Sequence, residues 1–212
     1  MKDLLYIPYE KARPLIQEGD VLLVRGNRWF SFFIKKFTQS PYSHVALASW
    51  HNGNDKTESI LEIVEFRLFI GGASRNLSRV VDKKHKLIDV YRPSPHRCDL
   101  EYRPDNGVLI NETTYDGKAV TNTMRELTAL PYSILKIGLF ARGYSFGLRF
   151  LSNLNIISDD TLRQSTSHVC STSVAYSMNA NGYDLVKNKA DLRTEPGDLS
   201  KSPLLNYLFT IE

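Results

Sequence analysis

Ser40-Pro41-Tyr42-Ser43-His44-Val45-Ala46-Leu47-Ala48-Ser49-Trp50 is the stretch on which the reading of the fold turns. Pro41 locks its own φ and has no backbone N–H, so no helix continues through it and residues 39–42 read as a turn. From Ser43 the run is short and apolar, bounded on its far side by the polar turn His51-Asn52-Gly53-Asn54-Asp55, and it predicts a buried strand over residues 43–50. His44 is the exception in that strand. An imidazole at a strand mouth is either a satisfied structural histidine or a base held rigidly where it still reaches a cleft.

The flanking residues extend the same pattern. Gly19-Asp20 introduces Val21-Leu22-Leu23-Val24-Arg25-Gly26, a strand ending in glycine. Ile60-Leu61-Glu62-Ile63-Val64-Glu65-Phe66 reads as a third strand, and Leu87-Ile88-Asp89-Val90-Tyr91 as a fourth, stopped by Pro93 and Pro95; Gly71-Gly72 reads as a loop. Residues 27–38 place Trp29, Phe30, Phe32, Phe33, Ile34 and Phe37 beside Lys35 and Lys36, the spacing of an amphipathic helix that packs on the core or faces lipid or substrate. The second half is helical in period. Val120, Met124 and Leu127 mark a helix over 116–130 that Pro131 breaks, with a further helix over 132–140. Residues 167–181 form another, with Ser167 as N-cap and Gly182 as its stop. Strands early and helices late predict an α+β domain: an antiparallel sheet or small barrel, helices packed on one side, and a cysteine at a helix N-terminus.

The chain has 212 residues, 42% of them hydrophobic, enough for one substantial core, and shows no internal repeat or low-complexity linker, so residues 1–212 are expected to form a single domain. The 27 basic and 23 acidic residues leave a formal charge of +4, scattered without a Lys/Arg run; nucleic acid is not an expected partner. Only Cys98 and Cys170 are present, too few for a disulfide framework, and a reduced pair is the simpler reading. The N-terminus has no signal-peptide-like apolar run, and no stretch approaches the ~20 apolar residues of a membrane helix, so a soluble and by default cytoplasmic protein is expected.

Cys170 lies in Thr166-Ser167-His168-Val169-Cys170-Ser171-Thr172, in the first turn of its predicted helix. There the helix N-terminus favours a thiolate and first-turn amides can donate to an oxyanion; a lone cysteine is also commonly a small buried hydrophobe. A nucleophilic cysteine needs a base, and the base an orienting acceptor. His51, His85 and His96 lie in polar contexts, and His168 is two residues from Cys170, pointing away on a helix. His44 is therefore the candidate base. Glu62 and Glu65 differ by three on the next strand and face opposite sides, so one of them can point at His44. Glu62, embedded in apolar residues, is the expected partner, with Glu65 exposed near the strand end. His168 and Cys170 lack the further ligands of a zinc site, and neither metal nor cofactor is expected.

Taken in order, Gly19-Asp20-Val21-Leu22-Leu23, Ser40-Pro41-Tyr42-Ser43-His44-Val45-Ala46-Leu47, Leu61-Glu62, Leu130-Pro131-Tyr132-Ser133, Val169-Cys170-Ser171 and Glu195-Pro196-Gly197-Asp198-Leu199-Ser200 resemble the circularly permuted NlpC-type papain-like cysteine hydrolases, the YiiX-like proteins among them. In that family the histidine strand precedes the cysteine helix. The resemblance implies Cys170 as nucleophile, His44 as base and Glu62 as third member, with Tyr132 and Tyr42 lining the substrate site. Thr172 stands where the family often has Glu, and residues 140–154, rich in Phe and Leu, fall in a long segment suited to a lid or substrate wall.

The implied activity is acyl transfer at an amide through a thioester on Cys170, with a peptide or peptidoglycan fragment as substrate. The alternatives are an acyl-lipid hydrolase or acyltransferase resembling lecithin:retinol acyltransferase, in peripheral contact with a membrane, and a catalytically silent binding module. The lipid-active family's Asn-Cys-Glu-His run is missing around Cys170.

Overall fold

The computed structural model describes residues 4–26, 40–51, 59–67, 71–81, 87–103, 107–128, 170–187 and 189–212, with the backbone alone for 97–103, 107–112 and 192. Seven strands make one mixed sheet. From edge to edge they are β1 (Tyr6–Ile7), β9 (Leu205–Ile211), β6 (Leu87–Pro93), β2 (Val21–Arg25), β3 (His44–His51), β4 (Ile60–Arg67) and β5 (Gly71–Asn76). Neighbours are antiparallel except β1 and β9. A separate two-stranded ribbon pairs β7 (His96–Arg103) with β8 (Gly107–Thr114). The helices are α1 (Tyr9–Ala12), α2 (Ser78–Val81), α3 (Gly117–Leu127), α4 (Cys170–Ala180) and α5 (Pro196–Leu199). No helix among the described residues is long and apolar enough to cross a membrane.

β2 explains the layering. Val21-Leu22-Leu23-Val24 is apolar without alternation, so both of its faces have to be covered. Val21 and Leu23 join Val45, Leu47, Val64 and Phe66 in a core with Val120 and Met124 of α3 and Val174 and Met178 of α4. Leu22 and Val24 join Ala46, Ala48, Leu61, Ile63, Ile88 and Val90 in a second core, closed by Ala12 and Ile16 near α1 and by Leu77 and Val80 near α2. The expectation of helices on one side therefore holds for α3 and α4 only; the short α1 and α2 cover the opposite face. The strand order is linear, which makes this a sheet and not a small barrel.

The four expected strands are present as β2, β3, β4 and β6. Gly71-Gly72 is not a loop but the start of β5: a Cβ on Gly72 would sit 2.2 Å from Thr128 Cα, so the backbone passes too close to the end of α3 for any side chain. α3 starts where Asp116 accepts the Lys118 and Ala119 N–H groups at 2.9 and 3.0 Å. α4 stops at Gly182, whose φ of 83° lets Tyr183 N–H reach Met178 O and Gly182 N–H reach Asn179 O, each at 2.9 Å. The helices expected over 27–38 and 132–140, the N-cap Ser167 and the segment 140–154 lie outside the described residues.

Candidate active site

The β3–β4 register decides which carboxylate meets His44. Leu47 pairs with Val64, Ala48 with Ile63 and Ser49 with Glu62, so each pair joins an odd-numbered residue to an even-numbered one. Side chains alternate along both strands, so His44 shares its side of the sheet with odd-numbered residues of β4. Glu65 is one of these and Glu62 is not. His44 Nε2 accordingly hydrogen-bonds Glu65 Oε2 at 2.6 Å. Glu62 faces α3 and accepts from Arg125 Nη2 at 3.0 Å, beside Ser49. The expectation that Glu62 orients His44 and Glu65 is exposed is reversed: Glu65 is 1% exposed.

A buried carboxylate needs compensation. Glu65 has it on both oxygens, His44 on Oε2 and Arg75 on Oε1, where Arg75 Nε donates at 2.6 Å and Nη2 makes a second contact; Arg67 Nε stands 3.7 Å from Oε1. Burial pushes the carboxyl pKa up, but the hydrogen bond and charge of His44, then those of Arg75, bring it below its ordinary value. Glu65 is ionised in the folded protein at neutral pH.

Cys170 opens the described part of α4, buried and free of any disulfide. Its thiol interacts with the His44 ring. With Nε2 given to Glu65, Nδ1 is the ring nitrogen left for the sulfur. Burial raises the thiol pKa; His44's charge and hydrogen bond, then backbone hydrogen bonds from Val45 and Ser171, pull it below its ordinary value. The Val45 amide is spare because the β3–β4 ladder begins only at Leu47. Burial lowers the pKa of His44, but the charge and hydrogen bond of Cys170 and those of Glu65 raise it to about 10. The two shifts have opposite sign and one cause: thiolate and imidazolium stabilise each other. The lowered thiol pKa and the raised imidazole pKa both favour the thiolate–imidazolium pair over the neutral one.

Tyr42 is buried, and its hydroxyl is 2.6 Å from Asp89 Oδ2 and 3.1 Å from the Tyr91 hydroxyl. It packs in the same core as Cys170, with its hydroxyl engaged within the fold. Tyr132, His85 and His168 lie outside the described residues, as does the Cys98 side chain. His51 and His96 are exposed. Arg75 and the Val45 amide carried no sequence signal.

No protein-family model matches the chain, and no curated protein matches it. Among solved structures it is similar to the crystal structure of the metalloprotein yiiX from Escherichia coli O157:H7 (DUF1105), at 14% identity and a TM-score of 0.51, over 91% of this chain and 96% of that one. The fold is YiiX-like. At that identity the likeness to YiiX concerns the fold alone. Among the described residues of this chain, no three His, Cys, Asp or Glu side chains gather as metal ligands would.

Proposed function

We propose that this chain is a cysteine hydrolase of the permuted papain-like type, with Cys170 as nucleophile, His44 as base and acid, and Glu65 as the group that orients His44. One observation carries this reading: the His44 ring is held between an ionised buried Glu65 and a thiol whose pKa is lowered. The chain order, histidine strand before cysteine helix, and the YiiX-like fold support it.

The Cys170 thiolate attacks the carbonyl carbon of an amide, and the C=O π electrons move to oxygen. The resulting oxyanion is held by the Cys170 backbone amide at the start of α4. Its collapse breaks the C–N bond, and the imidazolium of His44 protonates the departing nitrogen, leaving a thioester and neutral His44. His44 then takes a proton from water as the water oxygen attacks the thioester, and thiolate departs to restore the ion pair. Peptides, including peptidoglycan fragments, are the substrate class; turnover of acyl lipids in vesicles in place of peptides would move the assignment to the acyl-lipid branch.

The test is the pH dependence of Cys170 alkylation by iodoacetamide in the intact protein and in His44→Ala. Rapid labelling well below pH ~8, slowed by the substitution, is expected of a histidine-activated thiolate. Labelling that follows an ordinary thiol in both proteins rejects the catalytic reading and leaves a binding module.

A further inference from the structure

Resting on the cysteine-hydrolase reading, we infer that Arg25 is a specificity-determining residue of this site, and that its guanidinium binds a carboxylate carried on the acyl part of the substrate.

Its position follows from register. In β2, Val24 pairs with His44, and Leu23 pairs with Val45, whose backbone hydrogen-bonds Cys170. Arg25 is the last residue of β2, and by alternation its side chain leaves the strand on the side of Leu23, the side that packs with Cys170 in one core. Its guanidinium lies over the ring of Tyr42, two residues before His44, and Tyr42 packs in that core with Cys170.

The guanidinium is fixed before any ligand arrives. Nε donates to Asp89 Oδ2 at 3.0 Å, Nη2 contacts the same oxygen, and the group lies over the Tyr42 ring, 5.7 Å from its centroid. Asp89 has no exposure, and two further donors satisfy it: Tyr42 at 2.6 Å and Thr210 Oγ1 at 2.7 Å. Because the Tyr42 and Thr210 hydrogens point at Asp89, Tyr91 donates to Tyr42 and Tyr207 donates to Thr210. Beside Asp89 the guanidinium also hydrogen-bonds Tyr42; its Nη1, with two N–H groups, has no assigned contact among the described residues, and the side chain is 20% exposed. A guanidinium held by one edge with the other open is the arrangement that receives a carboxylate.

The experiment compares Cys170 alkylation by 3-maleimidopropionate and by its methyl ester, which differ in one charge a few ångströms from the reacting carbon. Rates on the full chain are divided by those on glutathione. The acid is expected to be favoured about ten-fold, the effect of one charge-assisted contact. The preference should fall toward one in Arg25→Gln/Asp89→Asn, which removes the pair together and strands no buried carboxylate. Fast labelling without charge preference overturns the assignment of Arg25 while leaving the hydrolase reading intact, and so does a preference that survives in the double variant. Labelling by both reagents no faster than glutathione overturns the hydrolase reading and this inference with it.

Discussion

Glu65→Gln is the substitution that reads the site most directly, because it changes one charge and almost no volume. Glu65 is 1% exposed and stands 2.6 Å from His44 Nε2. Glutamine at this position can still accept a hydrogen bond from Arg75 or His44, but not as an anion. The loss is that of a charge-assisted hydrogen bond, about 1.5–3 kcal/mol. At 1.36 kcal/mol per pKa unit, this shifts His44 down by about one to two units. His44 titrates at about 10 in the intact protein, so the variant should titrate about one to two units lower. The sign follows from linkage: a pKa raised above the unfolded value of about 6.5 means stability that is complete below that pH and lost as pH rises through the folded value, and the variant loses it earlier. The assay is a nuclear magnetic resonance titration of 13C-labelled histidines, with the resonance assigned by its disappearance in His44→Asn. Glu62→Gln is the control, since Glu62 pairs with Arg125 and not with His44. A His44 titration unmoved by Glu65→Gln, or moved as far by Glu62→Gln, refutes the arrangement.

Arg75→Gln acts one link further out. It should lower the His44 pKa in the same titration by less than Glu65→Gln does, because Glu65 keeps its charge and Arg75 touches only Oε1; an equal or larger shift would mean that Arg75 acts on His44 directly. Gly72→Ala should destabilise the fold by about 1–3 kcal/mol in urea denaturation, since its Cβ would meet Thr128 Cα at 2.2 Å and one backbone has to move. An unchanged midpoint would place β5 further from α3.

β2, β3, β4 and β6 were legible because each is a short apolar run bounded by turn residues, a signal that survives without any knowledge of pairing. α3 announced itself by period and α4 by its Gly182 stop. The third member of the site was half legible. That Glu62 and Glu65 face opposite sides follows from sequence spacing alone, but which of them faces His44 depends on whether β3 and β4 pair even to odd or even to even, a tertiary fact. Burial also misled: the apolar neighbours of Glu62 look costly for a carboxylate, yet Arg125, sixty-three residues away in sequence, meets it there. β5 reads Gly-Gly-Ala-Ser-Arg-Asn and has no apolar pattern; it is held by pairing with β4. The β7–β8 ribbon pairs Arg103 with Gly107, and the Asn106-Gly107 dipeptide was a sequence signal that could have exposed it.

The location of the thiol follows from what a buried thiolate requires. A charge removed from water needs directed donors, and a fully paired sheet has no backbone N–H to lend. β3 meets this by entering the sheet against β2 at His44 while its pairing with β4 starts three residues later, at Leu47. Within that offset the Val45 amide stays free for the sulfur, and His44 stands between Cys170 and Glu65. In the proposed ion pair the charges alternate from thiolate to imidazolium to carboxylate to the Arg75 guanidinium, so each buried anion is flanked by a cation. Taking out an inner member leaves a buried charge without its partner. Arg75, at the outer end and 23% exposed, leaves a carboxylate that His44 still compensates. The order of these losses, inner before outer, is what separates a coupled charge relay from four independent contacts.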